Sequence, residues 1–408
     1  MKTDVIIIGG GAAGLCAAVY LKQKAPEKTV RILEGLPRVG KKLITTGNGR
    51  CNITNKNISL ERYHGEHKEF GRYALEKYNV AFCEGFFGSI GIPFIYEGDK
   101  AYPASFQAGS VVDCLRFAAE ELGVIIHTDT KVTNINTLGK DYKVIAERVS
   151  FIASNVIIAT GGLAGGEKLG CDGGMLKLLK KSGFKVTQTA PSIVQVKTVN
   201  DITKQLKGIK VAANVSVKSG KKLLREDFGE VLFTDYGLSG PPVLQVSRAV
   251  FQNVDTVISL DFMPATDFDT MCVLIQKRVG LFLHRSLEEF FTGMFNKRVG
   301  QVILKTAGLK LSDKVRVINN SMVKKIAHII KGMEFAVTGT TGFVNAQVTA
   351  GGLDTAQFMD NSMESREYKK LYCVGEILDI DGDCGGFNLQ WAWSSAMCAV
   401  DAIIGGKE

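Results

Sequence analysis

Three glycines near the start of the chain, Gly9, Gly11 and Gly14, have the Gly-x-Gly-x-x-Gly spacing that binds the pyrophosphate of a dinucleotide. They follow the apolar run 5–8, which predicts a strand buried on both faces, and they precede residues 15–21, which predict a helix. In this motif the first glycine permits a tight turn, the second lets the backbone approach the phosphates, and the third lets the helix pack closely against the strand. We therefore expect the N–H groups at the start of the helix to bind an anion.

A carboxylate follows at the distance that this motif requires. Residues 30–33 predict a second strand, which ends at Glu34, 20 residues after Gly14. An acidic residue about 20 residues beyond the glycines accepts hydrogen bonds from the adenosine ribose hydroxyls. A strand–helix–strand turn without a ligand is the alternative, and it leaves Glu34 without a role.

Basic and amide side chains are concentrated in residues 35–55, a stretch too rich in Gly, Asn and Thr for a regular element and too long for a simple connection. Its cations can neutralise phosphate, and its amides can hydrogen-bond a ligand. The cations are Arg38, Lys41, Lys42 and Arg50, and the amides are Asn48, Asn52 and Asn55. A purely structural turn would rarely collect so many donors, so we expect this segment to contact the ligand.

Two further predicted strands end in residues that suit a nucleotide site. Residues 155–158 lead into Thr160-Gly161, and residues 370–374 lead into Gly375-Glu376. Near the end of the chain, Gly385-Gly386 precede a predicted helix of small residues, whose N-terminus would stabilise negative charge on a ligand. Because such motifs open and close the chain, we expect inserted domains between two halves of one cofactor domain.

The length of 408 residues predicts two or three domains. We expect an α/β fold whose Rossmann-like cofactor domain consists of residues 1–190 plus 336–408. Lysine-rich alternating strands predict a β-barrel insert at 191–265, and helical periodicity predicts a small helical insert at 266–335. Within that insert, Ser286 and Glu289 predict a capping box at a helix start.

The composition, 45% hydrophobic and 22% charged, is that of an ordinary soluble globular protein, and no apolar run reaches the roughly 18 residues of a membrane span. The nine cysteines show neither a metal-binding nor a disulfide pattern, so we expect reduced thiols in the cytoplasm and no metal. Of the net charge of +9, residues 191–335 carry +8, with 21 Lys and Arg against 13 Asp and Glu. Such a region can bind a polyanion such as RNA, or it can be a solvated surface without a partner.

Six stretches together resemble the bacterial two-dinucleotide-binding-type flavoproteins of the BaiN/RdsA family, which are related more distantly to fumarate reductase flavoproteins. The resemblance spans nearly the whole chain, and its stretches are 9–14, 46–55, 233–241, 349–352, 375–379 and 385–390. One departure is Asp235, where we expect a histidine before the turn at residues 237–240. If that histidine handles the substrate in relatives, this chain lacks the residue that does so.

The resemblance implies non-covalent FAD, redox chemistry, and an FAD domain interrupted by a β-barrel insert and a helical insert. The helix after Gly385-Gly386 would face the pyrimidine end of the flavin and stabilise the negative charge of its reduced form. The residues expected to bind FAD are Gly9, Gly11, Ala13, Gly14, Glu34, Lys41, Lys42, Gly49, Arg50, Cys51, Asn52, Thr160, Gly161, Gly375, Glu376, Gly386, Phe387, Asn388 and Leu389. The candidate catalytic acids are Cys51, Glu376 and Tyr236.

The resemblance leaves the substrate open. We expect an NAD(P)H-driven reductase of an activated C=C bond, either in a steroid-type enone of a bile acid or in a uridine of ribosomal RNA. In both, flavin N5 would deliver hydride to an electron-poor carbon and an acid would protonate the neighbouring carbon. The alternative is an FAD-dependent oxidase of a small amine such as aminoacetone, resembling aminoacetone oxidases and using O2.

Four observations bear on these alternatives. The basic region supports an RNA substrate, whereas the lack of an aromatic-rich stacking motif counts against it. No second complete glycine motif marks a nicotinamide domain, so NAD(P)H would visit the flavin transiently. A flavin-bearing binding protein without turnover is a third interpretation, and the ring-end motif argues against it because a structural FAD needs no charge stabilisation at its ring.

Overall fold

The computed structural model describes residues 2–147, 149–199, 201–251 and 255–405. The chain forms two compact units, the first built from residues 1–192 and 343–408 and the second from residues 193–342. The strands, in chain order, are β1 (Lys2–Ile8), β2 (Val30–Leu33), β3 (Thr54–Asn55), β4 (Tyr63–His64), β5 (Phe94–Glu97), β6 (Lys100–Pro103), β7 (Ile125–His127), β8 (Val132–Leu138), β9 (Asp141–Ala146), β10 (Ser150–Ile158), β11 (Ala190–Ser192), β12 (Val196–Thr198), β13 (Lys210–Ser219), β14 (Lys222–Phe233), β15 (Gly237–Ser239), β16 (Thr256–Asp261), β17 (Met333–Thr340), β18 (Val348–Ala350), β19 (Leu371–Cys373) and β20 (Asp381–Gly382).

The helices complete this description. They are α1 (Ala12–Lys24), α2 (Lys41–Thr45), α3 (Arg72–Lys77), α4 (Val80–Ser89), α5 (Ala108–Glu121), α6 (Gly174–Lys181), α7 (Ile202–Gln205), α8 (Pro241–Phe251), α9 (Phe268–Phe282), α10 (Lys297–Thr306), α11 (Asn320–Lys331) and α12 (Phe387–Gly405). Within the described residues, no helix has both the length and the apolar character that crossing a membrane requires.

The main sheet of the first unit has the strand order β7-β2-β1-β10-β9-β8, with β19 also paired to β10. Strands β7, β2, β1, β10 and β19 are parallel, whereas β9 and β8 pair antiparallel at the other side. Val5, Ile6 and Ile7 have no exposed surface, as expected for a central parallel strand covered on both faces. The predicted class, an α/β fold with a Rossmann-like domain, a β-barrel and helices, is confirmed.

The register of the parallel strands brings their carboxyl ends to one edge of the sheet. Ile8 at the end of β1 lies opposite both Leu33 at the end of β2 and Ile158 at the end of β10. Ile158 in turn lies opposite Cys373 at the end of β19. The residues that follow these four strands therefore meet at this edge, which is where open parallel sheets bind their ligands.

Helix α1 packs very closely on the turn that precedes it. A β-carbon on Gly14 would lie 1.9 Å from the carbonyl oxygen of Gly9, so only glycine fits at this position. On its other side α1 packs against α12, which carries the fully buried Trp393 and the almost fully buried Trp391. The C-terminal helix is thus part of the core that supports the N-terminal glycine turn.

The second unit contains a closed antiparallel barrel with the strand order β12-β15-β14-β13-β16-β17, together with helices α9, α10 and α11. The boundary expected at residue 336 falls inside β17. This strand follows the helices and closes the barrel by pairing with β12 and β16, so it belongs to the second unit. The division into three separate domains stays a prediction.

The capping box predicted at Ser286 and Glu289 is wrong. Leu287–Glu289 form a single 3-10 turn, and the Ser286 side chain makes no capping hydrogen bond. The chain cannot continue there as a surface helix because Phe290 and Phe291, which follow directly, are buried in the core of the second unit.

We expect Gly14→Ala to lower the free energy of unfolding by about 2–3 kcal/mol, because its methyl group would collide with backbone rather than with a flexible side chain. The matched control is Gly11→Ala, where a β-carbon meets nothing within 4 Å, and we expect a loss below about 1 kcal/mol. Urea denaturation of the ligand-free variants measures both. Equal midpoints for the two variants would show that the close contact at Gly14 does not limit stability.

Candidate functional site

The glycine turn after β1 leaves an open anion-binding position at the start of α1. Gly9 has a φ of +103°, and a β-carbon there would lie 2.6 Å from the carbonyl oxygen of Ala159. Gly11 precedes the first turn of α1, which has no side-chain cap, and a β-carbon on Gly11 would meet nothing within 4 Å. The first turn of α1 thus combines N–H groups without a side-chain cap with open space beside Gly11, as binding a phosphate requires.

Glu34 lies beside this turn, directly after β2. One carboxylate oxygen accepts the N–H of Gly10 at 2.7 Å, and the other accepts the N–H of Leu36 at 2.9 Å. Burial raises the pKa of Glu34 above its usual range, although these backbone donors partly oppose the shift. A carboxylate has about four acceptor positions, so Glu34 can still accept hydroxyl donors from a ligand.

A second open position follows β10. The hydroxyl oxygen of Thr160 is buried and has no hydrogen-bond partner within the described part of the chain. Gly161 has a φ of +69°, and a β-carbon there would meet nothing within 4 Å. A buried hydroxyl without a partner costs free energy, so Thr160 is placed to form a hydrogen bond with a ligand.

An ion pair links the segment after β2 to the segment after β19. The Lys42 ammonium lies 2.5 Å from one carboxylate oxygen of Glu376, and the other oxygen accepts the N–H of Thr349 at 2.9 Å. Burial lowers the pKa of Lys42, but the Glu376 carboxylate outweighs this effect and holds the pKa above its usual range. The Thr349 hydroxyl accepts the N–H groups of Leu163 and Ala164 at 2.8 and 2.9 Å.

Sequence reasoning did not find this connection. Lys42 was predicted to neutralise phosphate, and Thr349 had no predicted role. The two partners of the ion pair are 334 positions apart, so no local pattern could reveal them. Thr349 carried a weak signal, because it opens one of the family stretches.

Three hydrogen bonds fasten residues 53–55 to the C-terminal segment. The Thr54 hydroxyl donates to Gln390 Oε1 at 2.5 Å, and the indole N–H of Trp393 donates to the Ile53 carbonyl at 3.0 Å. The Asn55 amide donates to the Gly385 carbonyl at 2.8 Å. These bonds fix the polar segment against the start of α12.

The start of α12 contains a glycine in a left-handed conformation and side chains that stabilise the local fold. Gly386 has a φ of +98°, and a β-carbon there would lie 2.6 Å from the Thr54 carbonyl group. Asn388 holds the preceding turn, because its amide accepts the N–H of Gly382 at 2.8 Å and donates to its carbonyl at the same distance. Phe387 is buried, whereas Leu389 is half-buried. Among these residues, Leu389 can contact a ligand through its side chain, and the others can do so through their backbone.

Of the remaining residues expected to bind the cofactor, some lie at the carboxyl edge of the sheet and others contact different parts of the chain. A β-carbon on Gly375 would lie 3.2 Å from that of Ala13, so the loop with Glu376 packs on the first turn of α1. Arg50 pairs with Glu97 at 3.0 Å and lies over the ring of Tyr102, so its phosphate role stays a prediction. Lys41 forms no ion pair with another described residue. Gly49 has a φ of +82° and an open β-carbon position.

The three candidate acids have different surroundings. Cys51 has no exposed surface, and burial raises its pKa to about 12. Glu376 is engaged by Lys42 and Thr349 at the sheet edge. Tyr236 belongs to the second unit, where it lies between β14 and β15 and is 37% exposed. The structure therefore brings Cys51 and Glu376 into the first unit and leaves Tyr236 in the other.

This arrangement fits an extended dinucleotide better than a metal ion. Along the described chain, no three His, Cys, Asp or Glu side chains gather in a way that could hold a metal. The sheet edge instead offers backbone N–H groups, a carboxylate, and buried polar atoms on Thr160 and Asn52 that lack partners. These are the groups that recognise phosphates, ribose hydroxyls and a polar ring system.

Comparison with known proteins assigns the chain to a family. A model of the HI0933-like protein Rossmann domain matches residues 3–402. The 3-dehydro-bile acid delta(4,6)-reductase of Clostridium scindens is 33% identical over 96% of this chain and 97% of its own length. The ribosomal RNA dihydrouridine synthase of Haemophilus influenzae is 28% identical over 98% of each chain.

A solved structure shares the fold. The 3-ketosteroid delta1-dehydrogenase of Sterolibacterium denitrificans superposes with a TM-score of 0.53 at 13% identity and covers 100% of both chains. The resemblance predicted from the glycine turn, the Asn-rich segment and the C-terminal glycines is confirmed by the family match. The chain belongs to the HI0933-like family of Rossmann-domain flavoproteins.

Proposed function

We propose that this protein is an FAD-dependent reductase that uses NAD(P)H to reduce a conjugated C=C bond. The observation that carries the proposal is the 33% identity, over nearly the full length of both chains, to a relative named as a bile-acid delta(4,6)-reductase. When bound, FAD accepts a hydride from the nicotinamide and passes it to an electron-poor carbon of the substrate. A steroid-type enone supplies such a carbon, so we assign this substrate class first.

The geometry of the first unit supports a specific placement of FAD. The uncapped first turn of α1 at Gly11 would bind the pyrophosphate, and Glu34 would accept the ribose hydroxyls. The unpartnered hydroxyl of Thr160 would bond the cofactor between these positions and the ring. The N-terminus of α12 would stabilise negative charge on the ring.

The surroundings of the two candidate acids in the first unit argue against each of them as the proton donor. Cys51 holds its proton in a site without exposed surface, and both oxygens of Glu376 are already engaged. Tyr236, the third candidate, belongs to the second unit, and the residue is 37% exposed. Glu376 then acts as a positioning residue that holds Lys42 and the backbone of Thr349.

Ribosomal RNA is a second candidate substrate, favoured by the charge of the second unit. From Lys305 near the end of α10 to Lys325 in α11, six exposed cations have no ion-pair partner among the described residues, and this stretch contains one acid, Asp313. These cations are Lys305, Lys310, Lys314, Arg316, Lys324 and Lys325. The turn after α10 lies beside Lys325, because a β-carbon on Gly308 would be 3.7 Å from its ammonium. Unpaired cations on one surface can bind a phosphate backbone.

For the FAD placement, we expect Glu34→Gln to raise the Kd for FAD by about 10- to 100-fold, because a neutral amide accepts hydroxyl donors more weakly than a carboxylate. Wild-type affinity should fall as the pH drops through the raised pKa of Glu34, and the variant should lose this dependence. Flavin fluorescence titrations across pH measure both, with the exposed Glu27→Gln as control. Wild-type affinity in Glu34→Gln would remove the ribose assignment.

For the reaction, we expect NADH or NADPH to bleach the flavin absorbance in anaerobic stopped-flow experiments. A steroid-type enone should then restore the absorbance faster than oxygen does, since the reduced ring would pass its hydride to the conjugated bond. Bleaching by aminoacetone with fast recovery in air, and none by either nicotinamide, would contradict the reductase and identify an amine oxidase instead.

For the RNA candidate, we expect changing Lys305, Lys310, Lys324 and Lys325 together to Gln to weaken binding of a ribosomal RNA fragment. The slope of log K against log salt should become shallower by about 3, because each lost phosphate contact removes nearly one released counterion. The control changes four exposed lysines of the first unit, Lys140, Lys177, Lys180 and Lys181, to Gln. Equal slopes for both variants would exclude this surface as the RNA site.

A further inference from the structure

Asn52 carries a buried acceptor without a partner. The residue is only 8% exposed, and its carbonyl oxygen, Oδ1, forms no hydrogen bond with the residues that the structure describes. A buried amide oxygen without a donor is unfavourable, so its presence here indicates a donor from outside the chain.

The backbone holds Asn52 in place on both sides. Cys51 before it has a φ of +59°, a left-handed conformation that a cysteine rarely adopts. On the other side, Ile53 and Thr54 are hydrogen-bonded to Trp393 and Gln390 of α12. The backbone of Asn52 is therefore fixed beside the start of α12.

The open oxygen points to the start of a long helix. A β-carbon on Gly386 would lie 2.9 Å from Asn52 Oδ1, and Gly386 immediately precedes the 19-residue helix α12. The N–H groups of the first helical turn are donors, and the helix dipole adds positive potential there. One acceptor thus lies beside a group of donors.

We propose that Asn52 Oδ1 accepts the N3–H of the flavin pyrimidine ring, while the start of α12 faces the adjacent ring carbonyl. An N–H donor next to a carbonyl acceptor is the pattern of that ring edge, and it complements the acceptor and donors of the protein. This assignment rests on the proposed function, because it takes FAD as the ligand. Asn52 is then a specificity-determining residue for the flavin ring rather than for the phosphates.

The test compares FAD with 3-methyl-FAD, in which a methyl group replaces the N3 hydrogen. Flavin fluorescence quenching measures the Kd of both for the reconstituted wild type, for Asn52→Ala and for the control Asn57→Ala, whose side chain is exposed. We expect the wild type and Asn57→Ala to prefer FAD by about tenfold. We expect Asn52→Ala to bind FAD about tenfold more weakly than the wild type and to lose the preference.

The outcomes separate this assignment from the proposed function. No FAD binding by the wild type would reject the proposed function itself. FAD binding with an unchanged preference in Asn52→Ala, or without any preference in the wild type, would overturn the role of Asn52 and leave a buried water as its partner.

If Asn52→Ala does not fold, Asn52→Asp keeps the shape of the side chain and supplies the second measurement. A carboxylate beside the pyrimidine ring opposes the negative charge that reduction places there, so the flavin midpoint potential should become more negative than in the wild type. An unchanged midpoint potential in Asn52→Asp would overturn the assignment.

Discussion

The parallel register of β1, β2, β10 and β19 is the constraint on which the site depends. It sets Ile8 level with Leu33 and Ile158, so the turns that follow these strands meet at one edge. Side chains alternate along a strand with a period of two, so a one-residue slip would exchange the residues that pack on the two faces of the sheet and disrupt both cores. Because both faces of these strands are buried, the register is strongly specified, and the positions of Glu34 and Thr160 are specified with it.

The site is completed by contacts between segments far apart in the chain. The Lys42–Glu376 ion pair and the Thr54–Gln390 hydrogen bond join the N-terminal segment to the last part of the first unit. The second unit lies between these two segments in the sequence. The site of the first unit is therefore complete only when residues 343–408 have packed against the N-terminal part. A ligand that binds only this assembled form stabilises it by mass action, which couples folding of the C-terminal segment to cofactor binding.

Burial and hydrogen-bond partners give different chemical roles to residues that look equivalent in the sequence. Cys51 and Asn52 are neighbours in one motif, yet one thiol retains its proton with a pKa of about 12 and the adjacent amide keeps an open acceptor. Lys42 and Arg50 were both expected at phosphates, and each pairs with a carboxylate within the chain, Lys42 with Glu376 and Arg50 with Glu97. Low dielectric and competing partners decide such roles, and neither can be inferred from residue type alone.

The sequence by itself determined the glycine turn, the acid after β2, the α/β class and the family, because these depend on local spacing and period. The close contact of Gly14 with Gly9 and the position of Glu34 beside Gly10 follow from that spacing. Only the tertiary structure decided the partners of Lys42 and the closure of the barrel by β17. It also decided which buried polar atoms, among them Asn52 Oδ1, have no hydrogen-bond partner within the described chain. These depend on long-range packing, where segments hundreds of residues apart compete for the same donors and acceptors.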